Sequence, residues 1–246
     1  MLNDLHGDDA RLGFWTESGR TRRDIEEPIC TQDTRPLLTC AMAPAGVGGI
    51  VLDADEGDEI AYERAAPLPD LSCLHERHRL TRHLCGEMAE SASVCLSRHH
   101  AQPCVDVELA KPDGAPVIRS LAWVPPDEVT LRSYANRDDA TRDGAYSVAL
   151  AAVEVELGLL ARSRAETRTG ADWYVGPPGH FDDLEDALRL EVSGVDSGDR
   201  RMVMARVRTK VAQARAGESD KHALACVVGF LSRLVVIRRV EDQEEE

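Results

Sequence analysis

The chain has 246 residues, 43% of them hydrophobic, which is enough to build a real core in one large domain or two small ones. Its formal charge is −15: residues 1–140 carry 14 Lys and Arg against 25 Asp and Glu, and residues 141–246 carry 15 against 19. The N-terminal part would therefore repel a phosphate backbone, and any nucleic-acid contact belongs to the C-terminal part.

The start, Met1-Leu2-Asn3-Asp4-Leu5-His6, is polar and no apolar stretch follows it, so no secretion signal is expected. No apolar run approaches the ~20 residues of a membrane span. Seven cysteines, an odd number at irregular spacing in a chain too large to need staples, read as reduced thiols of a cytoplasmic protein. Arginine is abundant while lysine occurs only at Lys111, Lys210 and Lys221, the usage of a GC-rich bacterial genome.

Residues 1–35 are charged and lack apolar periodicity, which predicts a mobile arm with Phe14-Trp15 as a small anchor. From 36 to 140 an α+β accessory region is expected. It opens with strands at Leu37–Met42 and Ile50–Leu52 around a Gly46–Gly49 turn. That turn is no phosphate loop, because no Gly-Lys-Ser/Thr follows and Asp53, Asp55 and Glu56 would oppose a phosphate. The acidic run Asp53–Glu59 reads as a solvated loop. Leu80, Leu84, Met88, Ala92 and Cys95 share one face of a helix expected from Leu71 to about Leu96. Val105–Leu109 alternates with period two, Lys111-Pro112-Asp113-Gly114 is a turn, and Val117–Trp123 returns, so a hairpin is predicted. Cys73, His75, His78, His83, Cys85, His99, His100 and Cys104 are zinc-ligand types, but their spacing fits no short-loop zinc knuckle, and core or surface roles are the simpler reading.

After a polar connection at Asp127–Asp143 the pattern becomes regular. The expected domain at 141–240 reads helix (about Ala145–Leu160), strand (about Ala161–Ala165), strand (Asp172–Val175), strand (Leu188–Val192), helix (Asp199–Ala216), strand (Leu224–Leu231) and strand (Leu234–Val240). The first helix is apolar on both sides and carries Glu154 and Glu156 at its seams, where carboxylates need partners. The acidic tail 241–246 reads as a solvated end.

A helix with Glu, then Gly170-Ala171-Asp172 before one strand, Glu191 on the next strand, and a further helix and strand: this arrangement resembles the PD-(D/E)XK, or restriction-endonuclease-like, superfamily over residues 144–240. The resemblance implies an α+β fold with a mixed sheet, preceded by a smaller α+β region. It also implies a Mg²⁺-dependent nuclease acting on DNA. Asp172 and Glu191 match the metal-binding acids, and Glu154, or in second place Glu156, matches the glutamate of the first helix. Such domains commonly serve bacterial restriction or anti-phage defence, which implies companion protein subunits.

One position departs from the motif. The lysine expected two residues after Glu191 is Ser193, whose hydroxyl cannot supply a cation. Some members of the superfamily take the lysine from the following helix. With Val203 at zero and 100° per residue, Lys210 falls near −20°, inside the apolar stripe of Val207, Val211 and Ala214. Arg201, Arg208 and Arg215 fall at about 120–160°. A lysine aimed at a sheet is costly unless it meets a carboxylate or does chemistry. Lys210 is therefore the expected substitute, with Lys221 as the fallback. The alternative is a catalytically inactive copy of the domain acting as an adaptor or assembly subunit, which Ser193 and the overall acidity favour.

Overall fold

The computed structural model describes residues 62–179, 184–217 and 219–240. The expected arm at 1–35, the strands at 37–42 and 50–52, the acidic run at 53–59 and the tail at 241–246 lie outside the described residues. Within them the order is β1 (Glu63–Arg64), a 3-10 helix (Leu71–Glu76), α1 (Arg82–His99), β2 (Cys104–Ala110), β3 (Val117–Ala122), α2 (Glu128–Ser133) and α3 (Arg137–Leu157). There follow β4 (Leu160–Arg164), β5 (Trp173–Gly176), β6 (Leu188–Val195), α4 (Arg200–Arg215), β7 (Ala223–Gly229) and β8 (Leu234–Val240).

The architecture is α+β around a mixed sheet. Among the described residues eight strands lie in the order β1-β3-β2-β8-β7-β6-β5-β4. β5 is antiparallel to both of its neighbours, β4 and β6, while β6 and β7 are parallel, and β7 and β8 are antiparallel. The hairpin of β2 and β3 joins this set through a parallel pairing of β2 with β8, Glu108 to Leu234 onward. Residues 62–140 thus share one sheet with residues 141–240, and α3 runs through the position expected to separate them.

Period-two alternation in β6 and β7 divides the core between the two faces of the sheet. Leu190, Val192, Leu224, Cys226 and Val228 pack on the α1 and α3 side, where Val148, Ala149, Ala152 and Val153 meet them. Val195 and Val227 pack on the other side with Val203 and Val207 of α4. Each fully buried side chain of this kind is worth about 1.5–3 kcal/mol relative to exposure, so both layers hold the sheet.

Three elements differ from expectation. The helix anticipated over 71–96 is broken: a 3-10 segment ends at Glu76 and α1 starts only at Arg82, where Thr81 Oγ1 accepts the N–H of Leu84 at 3.2 Å. The break turns His78 inward, where its Nδ1 accepts the N–H of Ala161 at 2.8 Å. The polar connection at 127–143 contains α2, capped by Asp127, and the first two turns of α3. α3 begins at Arg137 because the Asn136 side chain accepts from Asp138 and Asp139 N–H, and those two acids face the positive end of the helix. It ends at Leu157 because Gly158 takes φ 66°, a left-handed cap. Where α1 crosses α3, a Cβ on Gly144 would stand 2.8 Å from the Ala92 backbone nitrogen, so only glycine fits the crossing. No helix among the described residues is long and apolar enough to cross a membrane.

Candidate functional site

β5 and β6 pair with Trp173 opposite Leu190 and Tyr174 opposite Arg189. Asp172 stands just before β5, where the regular pairing with β6 ends. Asp172 is held to β6 by its backbone N–H on Leu190 O at 2.9 Å, and its Oδ2 accepts the N–H of Val192 at 2.8 Å. Asp172 lies near enough to Glu191 to act on it as a like charge.

Alternation then fixes the face. Leu190 and Val192 enter the core under α3, so Glu191 points to the α4 side. There Lys210 Nζ donates to Glu191 Oε1 at 2.6 Å. The side chains of this pair are only 17% and 11% exposed, so solvent screens it weakly. Burial pushes the Glu191 carboxyl above its ordinary range, the Lys210 hydrogen bond opposes that, and Asp172 adds to it as a like charge.

Asp172 has a second anchor that the sequence reading did not include. Tyr146, on the middle of α3, donates its hydroxyl to Asp172 Oδ1 at 2.7 Å. Burial, followed by the hydrogen bond to Asp172, holds the Tyr146 phenol well above its ordinary pKa, so it remains a donor throughout the physiological range. The available signal was a lone tyrosine within a buried run of small residues, since a buried phenol needs a polar partner.

Arg189 was also missed. It is buried on β6 and reaches three carbonyls: Nη1 donates to Thr169 O at 2.6 Å and Ala214 O at 3.0 Å, and Nε donates to Lys221 O at 2.9 Å. A guanidinium on the last carbonyls of α4 suits the negative end of that helix. By holding Thr169 as well, it ties the loop before Asp172 to α4. Gly170 completes the joint with φ 65°, and a Cβ there would lie 2.9 Å from Gln213 O. Between loop and helix a cleft of about 480 Å³ opens, with Asp172 and Glu191 in its wall beside Arg164, Arg168, Gln213 and Gly217.

Asp172, Glu191 and Lys210 therefore come together, and Glu154 does not join them. It lies eight residues beyond Tyr146, about 12 Å along the same helix. There it accepts from Arg77 Nε at 2.5 Å and bonds His78 Nε2 at 3.0 Å. Glu156 pairs with Arg119 at 2.6 Å and Lys111 at 3.7 Å. The fallback Lys221 donates to the carbonyls of Leu184 and Glu185. Ser193 is on the same face of β6 as Glu191, one pleat further on.

The Cys/His set disperses to separate partners. His75 bonds Ser72 O, His83 pairs with Glu87 in solvent, His99 bonds Asp196, and His100 bonds Phe230 O. Cys73, Cys85, Cys95 and Cys226 are free thiols. Cys104 is disulfide-bonded, contrary to the expectation of seven reduced cysteines.

Among the described residues no group of three or more His, Cys, Asp or Glu is placed to hold a metal ion. The Asp172/Glu191 pair remains as a two-carboxylate set. Each carboxylate oxygen accepts in about two directions. Tyr146 uses one on Asp172 Oδ1, Val192 one on Oδ2, and Lys210 one on Glu191 Oε1. Acceptor capacity is left on both groups, with two carboxylates against one ammonium. That donor set suits Mg²⁺, which takes one or two protein carboxylates and keeps several waters.

Comparison with known proteins found no matching family model, no matching curated protein and no matching solved structure.

Proposed function

We propose that the chain is a Mg²⁺-dependent phosphodiester hydrolase of the restriction-endonuclease-like kind, acting on DNA through the cleft between α4 and the loop before β5. The observation that carries this reading is the meeting of Asp172, Glu191 and Lys210 at one point, with the lysine supplied by α4. The order helix, three antiparallel strands, helix and parallel strand from α3 to β7 supports it, because the resemblance implies that topology. A role in bacterial defence, with companion subunits, belongs to the same reading.

In this mechanism Tyr146 and the Val192 N–H fix the Asp172 carboxylate, and Lys210 fixes Glu191. Asp172 and Glu191 would hold Mg²⁺, which would supply Lewis acidity for hydrolysis of a phosphodiester. The Lys210 ammonium, anchored on Glu191, orients the attacking water and offsets the negative charge that develops on the phosphate. Arg189 keeps the loop carrying Asp172 against the helix carrying Lys210, so the groups retain their spacing.

One observation favours a second reading. Ser193 stands where the motif lysine would be, and an inactive domain retained as an adaptor would tolerate that loss. Incubation of plasmid DNA with wild type, Asp172→Asn and Glu191→Gln in Mg²⁺ and in EDTA separates the two. Cleavage that needs Mg²⁺ and both acids supports the hydrolase. A wild-type protein that takes up no divalent ion and cuts no DNA leaves the adaptor.

A further inference from the structure

Arg164 ends β4, the edge strand of the sheet, and lines the same cleft as Asp172 and Glu191. Its guanidinium carbon lies 4.3 Å from the ring centroid of Trp173 and 4.8 Å from that of Tyr146. The two rings are nearly perpendicular, at 83°, and form a corner that holds the cation. Register explains the first contact, because Arg164 is directly opposite Trp173 across the β4–β5 pair. The second contact links it to the machinery, since Tyr146 is the residue that anchors Asp172.

Arg164 is exposed, and among the described residues no carboxylate or carbonyl accepts from it. Its acidic neighbour in the loop, Glu166, accepts instead from the Tyr174 hydroxyl at 2.8 Å. Contact with aromatic rings restrains the side chain while leaving guanidinium N–H groups for an oxygen ligand, the geometry that suits phosphate. Arg168 lines the same cleft from the loop tip.

We infer that Arg164 binds a non-bridging phosphate oxygen of the DNA strand lying in the cleft, held ready for it by Trp173 and Tyr146. The inference rests on the reading of this cleft as a DNA site. Arg164 contacts substrate backbone and carries no proton in the reaction, so it contributes to binding equally before and during the chemical step.

The test is binding of a short fluorescein-labelled DNA duplex to the full chain in Ca²⁺, by anisotropy across a salt series, with cleavage kinetics in Mg²⁺ alongside. Arg164→Met keeps the stem on the rings and removes the charge. It should weaken binding about tenfold and lower the salt slope by about one. In cleavage it should raise KM and leave kcat nearly unchanged. Arg164→Lys should keep the slope while losing part of the affinity, because it retains the charge and gives up the fork. Equal affinity and slope for wild type and Arg164→Met overturn the inference, and Asp172-dependent cleavage in the same preparations would keep the hydrolase reading. Arg164-dependent binding without any cleavage does the reverse, keeping the phosphate contact and ending the hydrolase reading. A wild-type protein that binds no duplex overturns both.

Discussion

Replacing Lys210 by methionine tests the electrostatics of the site separately from its packing. Methionine keeps most of the aliphatic stem in the stripe of α4, so the change removes an ammonium and little else. It leaves Glu191 with a side-chain exposure of 11% and Asp172 beside it as a like charge. A hydrogen bond to a charged group is worth about 1.5–3 kcal/mol, so losing this one costs about 2 kcal/mol where the folded wild type keeps Glu191 ionised. Burial and Asp172 already raise the Glu191 pKa, and losing the ammonium that opposes them raises it further. A folded pKa above the unfolded one means that the contribution of Glu191 is complete below the reference value and is lost as pH rises through the folded value. Without Lys210 the folded value moves further up, so the loss at neutral pH grows. The penalty should be about 2 kcal/mol near pH 7 and should shrink towards zero as pH falls to the reference value. Urea unfolding followed by tryptophan fluorescence at about pH 7.5 and about pH 5 measures it. An equal penalty at both pH values would assign the effect to packing and refute the charge argument.

Three other substitutions probe the framework. Asp172→Asn keeps an amide oxygen for the Val192 N–H and offers an N–H to the Tyr146 oxygen, while removing the like charge beside Glu191. It should raise the unfolding free energy by about 1 kcal/mol and abolish Mg²⁺-dependent cleavage, and a less stable variant in urea titration would contradict the repulsion argument. Arg189→Met removes the donors of three carbonyls and should cost about 3 kcal/mol. It should also quicken hydrogen exchange at residues 166–171, and exchange identical to wild type would show that the loop is held by other means. Gly144→Ala places a methyl against the α1 backbone and should cost about 2 kcal/mol in the same urea assay; a neutral result would mean that the helices can separate freely there.

The parts of the site that could be read in advance are those fixed by periodicity. Alternation along Leu188–Val192 puts Glu191 on the face opposite Leu190, and helical phase puts Lys210 in the stripe of Val203 and Val207. Two elements with defined faces must then meet, and these two residues do. Glu154 shows where that logic stops. α3 is buried nearly all round, so no azimuth is preferred, and the destination of a seam carboxylate depends on what packs there. Arg77 and His78 arrive through the break at 77–81, which the apolar spacing of Leu80, Leu84 and Met88 does not reveal. Tyr146 and Arg189 were hidden for a related reason. Both act through groups distant in sequence, Asp172 and the carbonyls of Thr169, Ala214 and Lys221, and no local pattern encodes such pairings. The start of α3 was misplaced because its first turns are polar and capped by Asn136, a signal of chemistry rather than of hydrophobic period.

β8 lies between β7 and β2 although it follows both in the chain. On a ribosome, neither half of the sheet has its partner until residues 234–240 have left the exit tunnel. Up to that moment β7, whose seven residues are all buried in the finished fold, presents a row of unpaired N–H and C=O groups, and β2 presents another. A nascent chain stopped before Leu234 therefore carries two open strand edges and the apolar surface beneath them, the features that draw chaperones and invite pairing with a neighbouring chain.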